Sequence, residues 1–411
     1  MHGVGVRRRA VLASLPILFA PVVARAASVT LNWFMWSGSE SEVAAWKHLC
    51  DMVHAKHPDI TVNFQTASFP DYWTKLPALA ASNQLPDIIS LQSMRTAGFS
   101  GLLEPLEPYM RASNFDVGAF DRSIIAGLSS RGHLFALPYD FGPLLMFYNA
   151  DMFRRAGVPL PAPGWTDAAF VKAARALTTN GVYGAALSVP DAFFAYAAST
   201  GAPYLNSDGG LDLTNPALEA AFTSYTNLVA KDRIAPLFPS SGTSSMSQAN
   251  GRFVSGTVGM YVDGPWDLIN VVGASKFQLG LAPIPAGKNG SVTLTAGSGF
   301  GIARSSPFKD AAWRAIQVLT GPEAETYLAS QGRAFAARTD QQKYWYGVAA
   351  KNVVGAQPAF AAALKTALPY RTTPGWNTVS DLFEQYAPLA FGGQRQPDRV
   401  LKTIQQLSAE D

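Results

Sequence analysis

The amino-acid sequence predicts an α/β chain of two lobes, each a mostly parallel sheet flanked by helices. Three observations lead there. The length, 411 residues, exceeds one ordinary domain. Residues 28–92 run strand, helix, strand, helix, strand, the order of a parallel sheet covered on both faces. The stretch Arg131–Phe170 reads as a strand crossing between lobes, then a helix, a proline-rich turn and a second helix start.

SVTLNWFMW, 28–36, is the first strand, stopped by Ser37-Gly38-Ser39. A helix from Glu42 to His57 follows, with Val43, Trp46, Leu49, Cys50 and Val53 on one face, Ser39 or Ser41 as its cap, and Pro58-Asp59 as its stop. ITVNFQ alternates cleanly and is the second strand. YWTKLPALAASNQ is a second helix, expected to break at Pro77, and PDIISLQ is the third strand. Such sheets bind ligands at the carboxyl ends of their strands, here residues 36–40, 66–72 and 92–95. Further on, LFALPYD and LLMFYN are apolar strand-length runs interrupted by Gly142-Pro143. Asn149-Ala150-Asp151 opens an amphipathic turn that Gly157 closes, and Thr166 caps a helix carrying Phe170, Val171 and Ala174. Ser240–Asn250 is expected to be a serine-rich surface loop.

Apolar residues at 48% and charged residues at 15% describe a globular chain and exclude a disordered one. Residues 1–26 form an export leader: Arg7, Arg8 and Arg9, an apolar run from Ala10 to Val23, then Ala24-Arg25-Ala26 for cleavage. The run is too short to span a bilayer as a helix, and Arg8-Arg9-Ala10-Val11-Leu12 fits twin-arginine export. The leader holds four arginines and no acid, so the formal +3 becomes −1 for the rest. No basic cluster with interleaved aromatics remains, which argues against nucleic acid. Cys50 is the only cysteine, so no intramolecular disulfide forms. His54 and His57 sit at helical spacing without a third ligand, and a solvated helix end is expected rather than a metal site. No G-x-S-x-G elbow, H-E-x-x-H or P-loop occurs, and no cofactor is implied. A soluble periplasmic protein of a Gram-negative bacterium is the expectation.

HAKHPDITVNFQ, LPDIISLQ and GLLEPLEPY, the block from Leu137 to Trp165, GRFVSGTVGMYVDGPWDL, LGLAPIPAG and GSGFGIARSS appear in order. In this order they resemble the sugar-binding family of ABC-importer solute-binding proteins, the maltose-binding-protein-like group, over nearly the whole chain. The resemblance implies the two-lobed periplasmic-binding-protein fold with three hinge crossings, near Tyr139–Pro143, Gly299–Ile302 and Phe335–Arg338. It implies one lobe from 28–139 with 301–337 and another from 140–300 with 338–411. It implies a receptor that captures a carbohydrate or polyol between its lobes by hinge closure and hands it to membrane permease subunits, acting as a monomer.

Candidate ligand residues follow from strand ends and from the resemblance. Trp36, with Ser37 and Glu40, offers an apolar ring and polar groups to a sugar, although Ser39 or Ser41 also suits a cap. Asp71, Tyr72, Ser93 and Arg95 occupy the other strand ends. Trp266 follows Gly264-Pro265 and in the family stacks on the ligand; Asp263 beside it takes either two hydroxyls or its own turn amides. Ser298 and Gly299 suit both close backbone approach and a hinge. Tyr139 and Asp140 lie at the first crossing, and Trp376 precedes a helix where the family places an aromatic contact. Arg333 lies in QGRAFAAR, which departs from the family's T-G-x-l-P pattern. A glycerol 3-phosphate-type receptor is the near alternative; its phosphate needs a cation, and only Arg95 and Arg333 offer one. A secreted carbohydrate-active enzyme, using carboxylates such as Glu40, Glu42, Asp263 and Asp267, is the alternative of another class.

Overall fold

The computed structural model describes residues 1–3, 5, 28–179, 181–240 and 243–409, so the leader expected at 1–26 lies almost wholly outside the described residues. The strands, in chain order, are β1 (Val29–Trp36), β2 (Ile60–Ala67), β3 (Ile88–Gln92), β4 (Ser129–Ser130), β5 (His133–Leu134) and β6 (Leu137–Pro143). They continue as β7 (Leu145–Asn149), β8 (Met260–Asp263), β9 (Leu279–Ala282), β10 (Leu294–Ile302), β11 (Val353–Val354) and β12 (Leu368–Pro369). The first sheet runs β12-β10-β3-β1-β2, with β6 on the free side of β10; the second runs β11-β9-β7-β8. Each sheet is the centre of one lobe. β1 pairs in parallel with β2 and β3, while β10 enters antiparallel to β3 and β6.

The period of two along β1 divides the first core. Trp33 faces Trp46 at 5.8 Å, Phe64 at 5.0 Å and Phe300 at 5.1 Å. Phe34 and Trp36 point the other way, onto the helix Phe69–Ala81. β7 divides likewise: Leu145 and Phe147 join one apolar cluster, Met146 and Tyr148 the other. The caps read from sequence form. Ser39 accepts from the Glu42 amide, Asn149 from Met152 and Thr166 from Ala169, and Gly157 closes its helix at φ +65°.

Two expectations change. The helix Phe69–Ala81 runs through Pro77 without ending, because Tyr72, Trp73 and Leu76 bury one continuous face that outweighs the lost hydrogen bond. The serine-rich loop is partly a helix, Ser245–Val254, which Ser244 caps by accepting from the Ser247 amide. None of the helices among the described residues is long and apolar enough to cross a membrane.

β6 and β10 carry the chain between lobes. Thr295–Phe300 pair with Pro143–Leu137, and Phe335 and Ala337 add hydrogen bonds to Phe141 and Tyr139. Packing here is backbone against backbone: a Cβ on Gly297 would stand 2.4 Å from the Asp140 carbonyl oxygen. We therefore expect Gly297→Ala to lower unfolding free energy by about 1–3 kcal/mol in a urea titration. Gly251, inside the helix Ser245–Val254 with nothing within 4 Å of its virtual Cβ, gives the opposite sign: Gly251→Ala should raise stability by about 0.5–1 kcal/mol. Equal effects at the two sites would refute the close-packed crossing.

Candidate ligand site

Aromatic rings and one guanidinium make a platform on the first lobe. Trp36 ends β1 and meets Phe69 at 5.7 Å, Tyr72 at 5.0 Å and Trp73 at 5.4 Å. The Arg95 guanidinium, just past β3, lies 4.4 Å from the Trp73 ring centroid and 5.5 Å from Phe69. Its Nη1 donates to Gln92 Oε1, and its Nε donates to Asn377 Oδ1 at 2.6 Å. Asn377 belongs to the helix Trp376–Phe391, packed on the second lobe, so this bond spans the cleft.

Carboxylates face the platform from the second lobe. Asp191, at the start of the helix Asp191–Thr200, accepts from the Tyr370 hydroxyl at 2.8 Å. Asp381 and Glu384 lie four and seven residues beyond Asn377, on the same side of one helix. Glu384 accepts from the Ser245 amide at 2.9 Å. Burial raises the pKa of Asp191 and Asp381, against the pull of the Arg95 charge on each, and pushes Glu384 up to about 7. Burial also brings Arg95 down to about 10.

A second polar cluster occupies the hinge side. Arg333 is 1% exposed. Its Nε lies 2.5 Å from Glu42 Oε1, its Nη1 3.5 Å from Asp140 Oδ2, and its guanidinium 4.7 Å from the Trp46 ring centroid. Neither nitrogen is aligned for a hydrogen bond, so these contacts act as ion pairs. Glu42 Oε2 accepts from the Gly38 amide at 2.6 Å, and Asp140 Oδ1 from the Ser298 amide at 2.7 Å. A bulge in the β6–β10 ladder, where Ser298 pairs with Asp140 but Gly299 with Pro138, lets consecutive residues Tyr139 and Asp140 both reach Arg333. Burial holds the Asp140 pKa at about 7 despite Arg333.

The candidates read from sequence separate accordingly. Trp36, Tyr139, Asp140, Ser298 and Arg333 lie at the cleft floor or hinge, Arg333 in an ion-pair cluster that already occupies it. Ser37 is half-buried and donates to the Ser39 carbonyl at 3.1 Å. Ser93 accepts from the Gly297 amide at 3.2 Å and lines a crevice of about 350 Å³ with Thr96, Gly127 and Tyr370, the last of which donates to Asp191. Asp263 satisfies its own turn, taking the Gly264 amide at 2.7 Å and the Trp266 indole N–H at 2.9 Å. The half-buried Trp266 ring folds back over Gly264, where a Cβ would meet it at 2.2 Å, instead of standing away from the strand.

Five positions do not present side chains to the cleft. Tyr72 is wholly buried with its hydroxyl on the Ser90 carbonyl at 2.7 Å. Trp376 is 1% exposed among Phe194, Tyr204 and Tyr370, because the helix phase turns it inward and its neighbour Asn377 outward. Gly299 packs against the Leu137 carbonyl and Leu128. Glu40 and Asp71 point to solvent from the first turns of their helices. Local pattern did not single out Trp73, Asp191 or Asn377, which the fold brings to Arg95, and took Glu42 only as a scattered acid. Glu42 had a signal: it is the fourth residue of Ser39-x-x-Glu42, a capping-box pattern that draws its carboxylate back over the helix start. Among the described residues, no group of three or more His, Cys, Asp or Glu side chains is arranged to hold a metal ion.

The raised Asp140 pKa has a definite sign. Its folded pKa lies above that of an exposed carboxylate, so its contribution to stability is whole below about pH 4, is lost as pH climbs to about 7, and stays constant above. Asp140→Asn keeps an acceptor for Ser298 and should flatten the fall in unfolding free energy across that window, by up to about 1.4 kcal/mol per pH unit. An unchanged pH profile would mean that Asp140 is ionised throughout.

Comparison with known proteins agrees with this architecture. The family model described as bacterial extracellular solute-binding protein matches residues 37–326. A binding protein of Brucella abortus is 27% identical over 362 residues, 85% of each chain. An ABC substrate-binding protein of Listeria monocytogenes in complex with cycloalternan superposes with a TM-score of 0.84 at 23% identity, covering 93% of this chain and 98% of that one. A maltose-bound protein of T. maritima superposes with a TM-score of 0.80 at 21% identity, covering 93% and 99%. With a two-lobed α/β frame, paired crossing strands and a family match over most of its length, the chain belongs to the bacterial extracellular solute-binding proteins.

Proposed function

We propose that this protein is the exported receptor of an ABC importer, taking a neutral carbohydrate or polyol into the cleft between its lobes without chemical turnover. The observation that carries the ligand class is the Trp36–Trp73–Arg95 platform facing Asp191, Asn377 and Asp381. The aromatic rings supply apolar surface for sugar C–H groups. The amide, the carboxylates and the guanidinium supply donors and acceptors in both senses for hydroxyls. A hydroxyl pointing the wrong way leaves one of these groups unpaired at a cost of about 1–3 kcal/mol, enough to separate epimers.

Charge argues against a phosphorylated polyol. Arg95 already gives Nε to Asn377 and Nη1 to Gln92, and Asp191 and Asp381 both lie within its field. Arg333 is held by Glu42 and Asp140. A phosphate dianion would enter a site with more carboxylates than free cations. The enzyme reading gains nothing from Asp263, whose acceptor capacity goes to its own turn. Export to the periplasm follows the basic and apolar leader, and delivery to a permease and action as a monomer follow the family.

A thermal-shift panel of mono- and oligosaccharides, polyols and glycerol phosphates tests this directly. A neutral sugar or polyol should raise Tm in proportion to ln(1 + [L]/Kd) and be recovered chemically intact. A selective shift with glycerol 3-phosphate, or cleavage of the sugar, would sink the neutral-receptor reading. With the sugar found, Arg95→Lys should weaken binding by about 10- to 100-fold in calorimetry, since lysine loses both the stack on Trp73 and the planar fork that reaches Asn377 and Gln92. Unchanged affinity in that variant would remove Arg95 from the site.

A further inference from the structure

One contact between the lobes involves none of the platform groups. Ser39 Oγ donates to Asn270 Oδ1 at 2.6 Å. Ser39 precedes the helix Glu40–Lys56 of the first lobe; Asn270 lies in the helix Leu268–Ala274, which follows β8 of the second. Both partners are fixed from behind. Ser39 Oγ also accepts from the Glu42 amide at 3.2 Å, and Glu42 holds the Gly38 amide and Arg333, which in turn lies against Asp140 of β6. Asn270 Nδ2 donates to Asp267 Oδ1 at 3.0 Å, and Asp267 takes the Tyr261 hydroxyl at 2.6 Å and the Asn250 amide on its other oxygen. A continuous polar path therefore runs from the hinge strand to the tip of one lobe and across to the other.

We propose that Ser39 and Asn270 form a latch built into the closed form, with Asn270 the positioning residue that sets how long the lobes stay shut. The assignment rests on the receptor reading above and on three physical points. The two residues sit on different lobes, so the bond exists only while the lobes meet. Neither partner has to be ordered at the moment of closure, since each is already held by a second hydrogen bond, so little entropy opposes the contact. The amide is also the side chain that the surroundings require: it accepts from Ser39 while donating to Asp267. A carboxylate at 270 would add a further negative charge beside Asp267, whose ionisation burial and the nearby Glu42 charge already disfavour.

The test needs no ligand. In a Cys50→Ser background, Ser39→Cys with Asn270→Cys is treated with oxidised glutathione, which takes up the two thiol hydrogens as the cross-lobe disulfide forms. We expect intramolecular cross-linking and a smaller radius of gyration in small-angle X-ray scattering than for the same protein reduced. Failure to cross-link, or a cross-linked protein with an unchanged radius, overturns the latch. In the second arm, Asn270→Ala should speed hydrogen exchange in the first turn of Glu40–Lys56, on the opposite lobe, by about 3- to 10-fold. Asn270→Asp should speed it at least as much at neutral pH, and both variants should melt within about 2 °C of the parent. Unchanged exchange in that turn also refutes the proposal. Because neither arm uses a sugar, an empty ligand panel and a failed latch are separate results.

Discussion

A buried guanidinium organises this molecule. Arg333 has almost no solvent, and a charge in that position is tolerable only if opposite charges come to it. They come from separate pieces of chain: Glu42 from the helix after β1, and Asp140 from β6. Trp46 and Tyr139 cover the guanidinium plane. The requirement to neutralise one cation thus fixes the first helix, the crossing strand and the segment 333–337 relative to one another. Ion pairs of this kind add little net stability over an apolar core, but removing one partner leaves an unpaired charge at a cost of about 3–5 kcal/mol. What they supply here is position, at the place where both lobes are joined.

The β6–β10 crossing adjoins that cluster and shares its logic. Glycines at 297, 299 and 301 bring backbones together on one face of β10, while Ser298 and Phe300 work on the other. The bulge at Tyr139 breaks the strand's alternation so that two successive side chains serve the same cation. Two hydrogen bonds outside that ladder also join the lobes, Arg95 with Asn377 and Ser39 with Asn270.

The polar groups of the cleft differ in what they can still give. Asp263, Asp267, Glu42 and Asp140 spend their oxygens on protein donors and on Arg333. Arg95, Asn377, Asp191 and Asp381 surround the aromatic platform of Trp36 and Trp73, and there both apolar area and hydrogen-bonding capacity face the other lobe. The same residue types therefore form a closed ion-pair cluster at the hinge and an aromatic and polar contact between lobes at the platform.

Much of the frame was legible in the chain itself. The alternation in ITVNFQ, the apolar face Trp46–Leu49–Val53 and the caps at Ser39, Asn149 and Thr166 are local: each depends on spacing within a few residues, and each forms as read. Strand order also places Trp36 and Arg95 at one edge, since β1 ends at Trp36 and Arg95 lies just past β3, and the carboxyl edge of a parallel sheet follows from strand order alone. What local pattern leaves open is direction and partnership. Whether Trp376 or Asn377 faces the cleft is a rotation of about 100° on one helix, settled by the pocket of Phe194, Tyr204 and Tyr370 that receives the ring. Whether Glu40 or Glu42 matters is settled by an arginine some 290 positions away in the chain. Helices, strands and caps were thus determined by the sequence near them, since their hydrogen bonds close over short range. Which acid is buried, which tryptophan turns inward and which amide reaches across to the other lobe were decided only by tertiary packing, since burial and charge pairing depend on residues that the chain brings together from far apart.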